Sequence, residues 1–319
     1  MRHTPPVLWT KGTLLTPHHL QAQDRHHEDA LAFQVGALAF CPWGLSALQI
    51  DPEALQGGTL VVHAVSGRFP DGLLFDAPLV GPTPPPRSVD KAFSPDQRHL
   101  QVYLAVPEYR PGARNVAPAG DAVPTRWQAA EHLVRDETTG LTERPIQVAP
   151  PSLRLIVEGE SLEGYTTLPI ARLERASTGE IGLDRSYVPP LIDVAASEWL
   201  LSLARRLVER LSARSAALSG SRRQRNQDLA DFSVADVGSF WLLYTVNTHL
   251  PIIRHLQEVR RGHPAPLWEA MLALVGALSA FASQADARTL PTYDHLRLGE
   301  GFAELERRLY ALLDGAVVD

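Results

Sequence analysis

Between Thr59 and Glu174 the chain alternates apolar and polar residues in short runs, and from Leu200 onward its apolar residues recur every three or four positions. The first period is that of strands and the second that of helices. Thr59 to Phe69 and Leu73 to Val80 flank Pro70-Asp71-Gly72. There the proline fixes φ and the glycine accepts positive φ, so the stretch predicts a hairpin. His99 to Val106, Trp127 to Arg135, Ile146 to Val157 and Tyr165 to Glu174 predict further strands. Gly81 to Pro86 reads as a polyproline-like linker, and Pro107 to Thr125 as a long loop without period. Ahead of all of these, Pro17 opens a helical pattern that runs to about Ala37. Many short strands with no helices between them favour an antiparallel sandwich.

The composition changes near residue 190. Pro189 and Pro190 donate no backbone hydrogen bonds and hold the residues before them extended, which predicts a stiff hinge and a domain boundary at Tyr187 to Pro190. Beyond it Leu200, Leu203, Leu207, Leu211 and Leu218 fall on one helical face, and Ser219 to Asn226 breaks the pattern. Ser233 with Asp236 is read as a capping-box start. It opens a helix that runs to about Arg261 and kinks near Pro251. Pro264 and Pro266 open a third helix through about Ala282, and a fourth runs from about Tyr293 to Leu313. The fold class expected is α+β multidomain: an N-terminal arm, helix and antiparallel β-sandwich over residues 1–188, then an antiparallel four-helix bundle over 189–319.

A chain of 319 residues suits two domains of roughly 150 residues each. With 45% hydrophobic and 21% charged residues it has the material for packed cores. A formal charge of -6 argues against a nucleic-acid binder. The single cysteine, Cys41, forms no internal disulfide, which suits a reducing compartment. No apolar signal region follows Met1. The best membrane candidate, Val237 to Ile253, is short and interrupted by Asn247, His249 and Pro251, so it predicts a buried helix and no direct membrane insertion. A soluble, cytoplasmic protein is expected.

The first residues are unusual. Leu8-Trp9-x-x-Gly12-x-x-Leu15-x-Pro17-His18-His19-Leu20-Gln21-x-x-Asp24 has apolar residues at uneven spacing before a helix-forming run. An arm this apolar must lie in a groove of its own protein or of a partner. Trp199, Phe240, Trp241, Leu242, Leu243, Tyr244, Trp268, Met271 and Phe281 give the helices more apolar surface than one small bundle shelters. Both features point to assembly.

The arm resembles the opening of the TssK family, the baseplate subunit of bacterial type VI secretion. Later blocks agree in order: Cys41-Pro42-Trp43-Gly44-Leu45; Gly67-Arg68-Phe69-Pro70-Asp71-Gly72 with Phe75; Pro150 to Leu155; Leu168 to Leu173; Tyr187-Val188-Pro189-Pro190-Leu191; and Pro291-x-Tyr293-Asp294-His295. The resemblance implies a non-enzymatic scaffold. It also implies a shoulder sandwich like that of phage receptor-binding proteins, facing the TssF–TssG wedge, and a helical neck that makes a homotrimer. The family's C-terminal head, which docks onto the membrane complex of TssJ, TssL and TssM, has no counterpart in these residues. Membrane docking is therefore not carried over. The competing class is a receptor-binding or adaptor protein of a phage tail.

For wedge binding the candidates are Trp9, Leu14, Leu15, His19, Trp43 and Phe69. For the trimer interface they are Leu203, Leu207, Leu211, Trp241 and Tyr244. His18, His19, His26 and His27 invite a metal reading, but adjacent pairs point about 100° apart on a helix and lack ligand spacing, so no metal and no cofactor is expected. No nucleophile elbow, P-loop or dinucleotide fingerprint occurs. The carboxylates Asp184, Glu304 and Glu306 fall on predicted surfaces. Cys41 reads as a small apolar residue beside Pro42. Arg205, Arg206, Arg210, Arg222, Arg223 and Arg225 form a basic patch, read as a solvated helix end or a contact for an acidic protein.

Overall fold

The computed structural model describes residues 4–94, 96–121, 123–227, 234–282 and 286–315. After α1 (Pro17–Leu38), strand β1 (Gly44–Ile50) leads through the short α2 (Pro52–Gln56) to β2 (Thr59–Leu60), β3 (Val62–Arg68), β4 (Leu74–Ala77) and β5 (Arg87–Ser88). Then come β6 (His99–Pro107), β7 (Val116–Ala117), β8 (Trp127–Gln128), β9 (Ala130–Arg135), β10 (Glu143–Val148), β11 (Arg154–Val157), β12 (Tyr165–Arg175) and β13 (Ile181–Leu183). Long helices follow: α3 (Glu198–Gln227), α4 (Val234–Val259), α5 (Ala265–Ser279) and α6 (Leu298–Gly315).

The strands build a three-stranded antiparallel sheet in the order β1-β3-β4 and a four-stranded antiparallel one in the order β11-β6-β12-β13. Three pairs stand apart: β2–β5 and β9–β10, both antiparallel, and the short parallel β7–β8. Alternation puts Leu100, Val102, Leu104 and Val106 of β6 inside, with Leu168, Ile170 and Leu173 of β12 beside them. They share one apolar core with Val62, Val65, Phe69 and Phe75 from the other sheet. The hairpin at Pro70-Asp71-Gly72 forms as its residues predict, with Gly72 at φ 97 and the Phe69 N–H donating to the Leu73 carbonyl at 2.9 Å.

Helices α3 and α6 present Leu200, Leu203, Leu207, Leu211 and Leu298, Phe302, Leu305, Leu309, Leu313 inward. Helix α5 contributes Trp268, Met271, Leu274 and Leu278. Two expectations differ. Helix α3 does not break after Leu218 but continues to Gln227. One mid-helix glycine, Gly220, costs only about 1 kcal/mol against alanine, and good helix formers follow it. Helix α6 starts at Leu298 and not near Tyr293, because the Asp294 carboxylate accepts from Leu296 N–H and Arg297 Nε at 2.9 Å each and holds a turn there. Helix α4 runs through Pro251 without interruption. The cap expected at Ser233 lies outside the described residues.

The Tyr187 to Leu191 stretch is a buried strap: Val188, Pro189, Pro190 and Leu191 are all buried. Leu45 N–H donates to the Pro190 carbonyl at 2.8 Å and Ile192 N–H to the Leu45 carbonyl at 2.9 Å. The Tyr187 hydroxyl meets the Gln101 amide at 3.1 Å, and burial pushes this phenol up to about 12. Just beyond, Val194 N–H donates to the Gly262 carbonyl, and Gly262 N–H to Asp193 Oδ1. The strap is thus bonded to β1 on one side and to the α4–α5 turn on the other.

Candidate functional site

Two apolar surfaces stand out among the described residues. The first is the arm with α1. From Thr4 to Thr16 the chain lies back along the helix, fastened by polar groups. Thr4 donates from both its N–H and its hydroxyl to Asp29 Oδ2, at 2.8 and 2.7 Å. His26 Nδ1 lies 2.8 Å from the Thr4 carbonyl. The Trp9 indole N–H donates to Gln23 Oε1 at 3.2 Å, and its ring lies 5.7 Å from that of His19. Thr16 caps the helix together with His19, whose Nδ1 accepts from the Thr16 N–H at 3.3 Å. Hydrogen bonds hold the arm, so its apolar side chains are free to face water. Leu14 is 81% exposed, Leu15 58% and Trp9 50%. Leu20, Leu31 and Leu38 fall on one side of α1 and Phe33 on the far side, all exposed, and the helix buries no residue at all.

Below the arm, Arg25 anchors α1 to the body. Its guanidinium lies 4.5 Å from the ring centre of Tyr109 and 5.2 Å from that of Trp127. The next residue down is Arg126, almost fully buried, which donates to the Pro107 carbonyl at 3.0 Å and to Asp71 Oδ2 at 2.7 Å. The Thr166 hydroxyl also donates to Asp71, at 2.9 Å. The hairpin turn therefore supports the shelf on which α1 rests. Sequence reasoning missed Arg126; the only signal was a carboxylate placed in an otherwise structural turn.

The second surface runs along α4. Its inner face buries Leu242, Leu243, Val246 and Ile253. Its outer face carries Val237, Phe240, Trp241, Tyr244, Ile252 and Val259, all exposed, with Trp241 at 52% and Tyr244 at 55%. The Phe240, Trp241 and Tyr244 rings stand edge to face in sequence, 5.7 Å apart. An aromatic stripe of this length in water is a candidate interaction surface.

The remaining candidate residues sit elsewhere once folded, and several need correction. Phe69, expected at the wedge surface, is wholly buried against Phe75. Leu203, Leu207 and Leu211, expected between copies, are wholly buried inside one protomer. A helical leucine row marks a buried face without saying who buries it, and here α4 and α6 of the same chain do. Trp43 is half-buried at the junction of sheets and helices: His295 Nε2 donates to its carbonyl at 2.7 Å and packs edge-on to its ring. In the basic patch, Arg206 pairs with Glu306 at 2.8 Å and Arg210 with Asp314, which ties α3 to α6. The side chains of Arg222, Arg223 and Arg225 lie outside the described residues. Among the described residues, no group of His, Cys, Asp and Glu is placed to hold a metal, and no helix is long and apolar enough to cross a membrane.

The family of bacterial type VI secretion proteins that includes VasE, ImpJ and EvfL matches residues 19–319. The chain belongs to the VasE family. Within it, the baseplate component TssK1 of Pseudomonas aeruginosa is 31% identical over 320 residues, spanning 98% of this chain and 70% of the relative. The fold agrees. A TssK–TssF–TssG baseplate subcomplex seen by cryo-electron microscopy contains a chain similar at a TM-score of 0.87 and 26% identity, covering 98% of this chain and all of that one. A chain of a type VI secretion baseplate complex matches at 0.89 and 28%, with 98% of this chain covered and 100% of that one. A crystal structure of TssK matches at 0.86 and 27%, covering 97% of this chain and 69% of that one. The VasE-family match begins at His19, so it takes in nearly all of α1 but not the arm.

Proposed function

We propose that this chain is a baseplate subunit of a type VI secretion system and acts by scaffolding, not catalysis. The observation that carries the reading is that 98% of it aligns with a chain of a TssK–TssF–TssG subcomplex, while two apolar surfaces stand out among its described residues. Two parts divide the labour. Residues 1–188 form an arm, a helix and a sandwich-like shoulder. Residues 189–319 form an antiparallel four-helix neck. All strands fall in the first part and the four long mutually packed helices in the second, which supports the division.

In this reading the α4 stripe packs against copies of itself to form a homotrimer. The arm grips TssF and TssG, with Trp9, Leu14, Leu15 and His19 at the contact. Burying one large apolar side chain contributes roughly 1.5–3 kcal/mol, so a few aromatic anchors dominate each interface. The subunit works on the cytoplasmic side of a membrane-docked baseplate.

The test weighs the purified chain by light scattering, alone and mixed with TssF–TssG. The expected results are a mass of three chains alone and co-elution in the mixture. A one-chain mass at micromolar concentration sinks the trimer, and separate elution sinks the wedge contact.

A further inference from the structure

The hairpin of β9 and β10 stands clear of the two main sheets. Among the described residues its strands pair only with each other, and no residue of either is buried. A two-stranded hairpin by itself is marginal in water. Its two outer edges differ. The Trp127 and Ala129 N–H groups donate to the Asn115 and Ala117 carbonyls, on the side of β7. The Gln128 N–H donates to the Pro150 carbonyl and the Asp136 N–H to that of Thr142, on the side of β10. Carried along the strand, this alternation turns the N–H and C=O groups of Glu131, Leu133 and Arg135 away from β10. They have no backbone partner among the described residues. The register sets Leu133 opposite Pro145, so the Pro145 nitrogen lies on the outer edge of β10, with no hydrogen to donate. Proline blunts an edge against pairing in this way. The edge of β9 carries no such block.

The residues of that edge select the occupant. Glu131, Leu133 and Arg135 share one face in the order acid, apolar, base, and all three are exposed, Leu133 at 61%. Reversed, this order is its own complement. A second copy laid antiparallel about a twofold axis at Leu133 sets leucine on leucine, Glu131 on the other copy's Arg135, and Arg135 on its Glu131. Each is a hydrogen-bonded pair, because all these residues turn their backbone groups to the shared edge. Opposite charges across strands add to the pairing. Parallel pairing would set acid on acid and base on base. Within its own hairpin Arg135 gives Nε and Nη2 to Glu143 Oε1 at 3.2 and 2.6 Å, which leaves Nη1 for the other copy.

We propose that β9 is an edge for self-pairing, through which two copies of this chain join in one continuous antiparallel sheet of order β10-β9-β9-β10. The contact is isologous, each copy offering the same patch. It lies in the strand-bearing half of the chain, apart from the α4 stripe, and it stands whether or not copies also meet there.

A thiol placed on the axis tests it. Opposed Cα atoms of a hydrogen-bonded antiparallel pair are about 5.5 Å apart, within the span of a disulfide. Purified Leu133→Cys, oxidised with copper phenanthroline, should give a two-chain band on a non-reducing gel. Leu141→Cys, in the exposed turn of the same hairpin, gives the rate of chance collision, and the wild-type chain with Cys41 alone is the blank. Leu133→Cys should cross-link at least about tenfold faster than Leu141→Cys. Adding either Glu131→Arg or Arg135→Glu should slow it about tenfold, since like charges then face each other twice. Mixing those two double variants, or joining both charge changes in one chain with Leu133→Cys, should restore the rate. Circular dichroism checks that each variant keeps its fold. Equal rates for Leu133→Cys and Leu141→Cys overturn the pairing. So does a rate that ignores the single charge changes, or one that the mixture fails to restore.

Discussion

Gly44 has no side chain because there is no room for one. A Cβ built there would sit 2.6 Å from the Pro190 carbonyl carbon, and one on Gly67 would sit 2.2 Å from the Gly44 carbonyl oxygen. Three of the sequence blocks that carry the family resemblance meet at this point, and His295 of a fourth reaches Trp43 next door. These residues build a seam. Gly44→Ala should cost about 3 kcal/mol, read as a lower urea midpoint, because backbone and not a flexible side chain must give way. The same seam holds two imidazoles stacked at 5.2 Å, His263 and His295. Burial is the main cause holding both below the ordinary histidine value of 6.5. The unfolded chain therefore binds more protons than the folded one below that value. Stability is complete above about pH 6.5 and should fall as pH drops toward the folded-state values. Urea unfolding at a series of pH values checks this, and His295→Gln should flatten the slope.

At the scale of elements, α1 rests on the body through few contacts, chiefly Arg25 over Tyr109 and Trp127. A cation over aromatic faces is worth about 1–2 kcal/mol when partly covered. Arg25→Ala should therefore speed amide exchange across α1 while leaving the protection of β6 and β12 unchanged. Helices α1 and α5 were legible within a few residues because Pro17, Pro264 and Pro266 mark their starts, and α4 because its apolar run is long. The strand expected over Trp127 to Arg135 proved to be two, β8 and β9, because Ala129 bonds across to Ala117 and redirects the chain. The arm was legible because uneven apolar spacing fits no regular element. Phe69 and the α3 leucines were misassigned because burial within a chain and burial between chains leave the same pattern. The cavity beside α5 was invisible: Phe40, Trp268 and Tyr293 come together only through the fold.

At the scale of the whole molecule, the exposed outer face of α4 is the proposed contact between copies. Replacing Trp241 and Tyr244 together by Glu should reduce the light-scattering mass to one chain with helical content intact, since both side chains are exposed in the protomer. If the mass stays unchanged, copies associate through another face. The buried strap has a mechanical consequence. Tension taken up by the helices would meet no slack tether before it reached the sheets. It would load the bonds from Leu45 to Pro190 and Ile192 and those from Gly262 to Asp193 and Val194, so both halves would have to yield together or not at all.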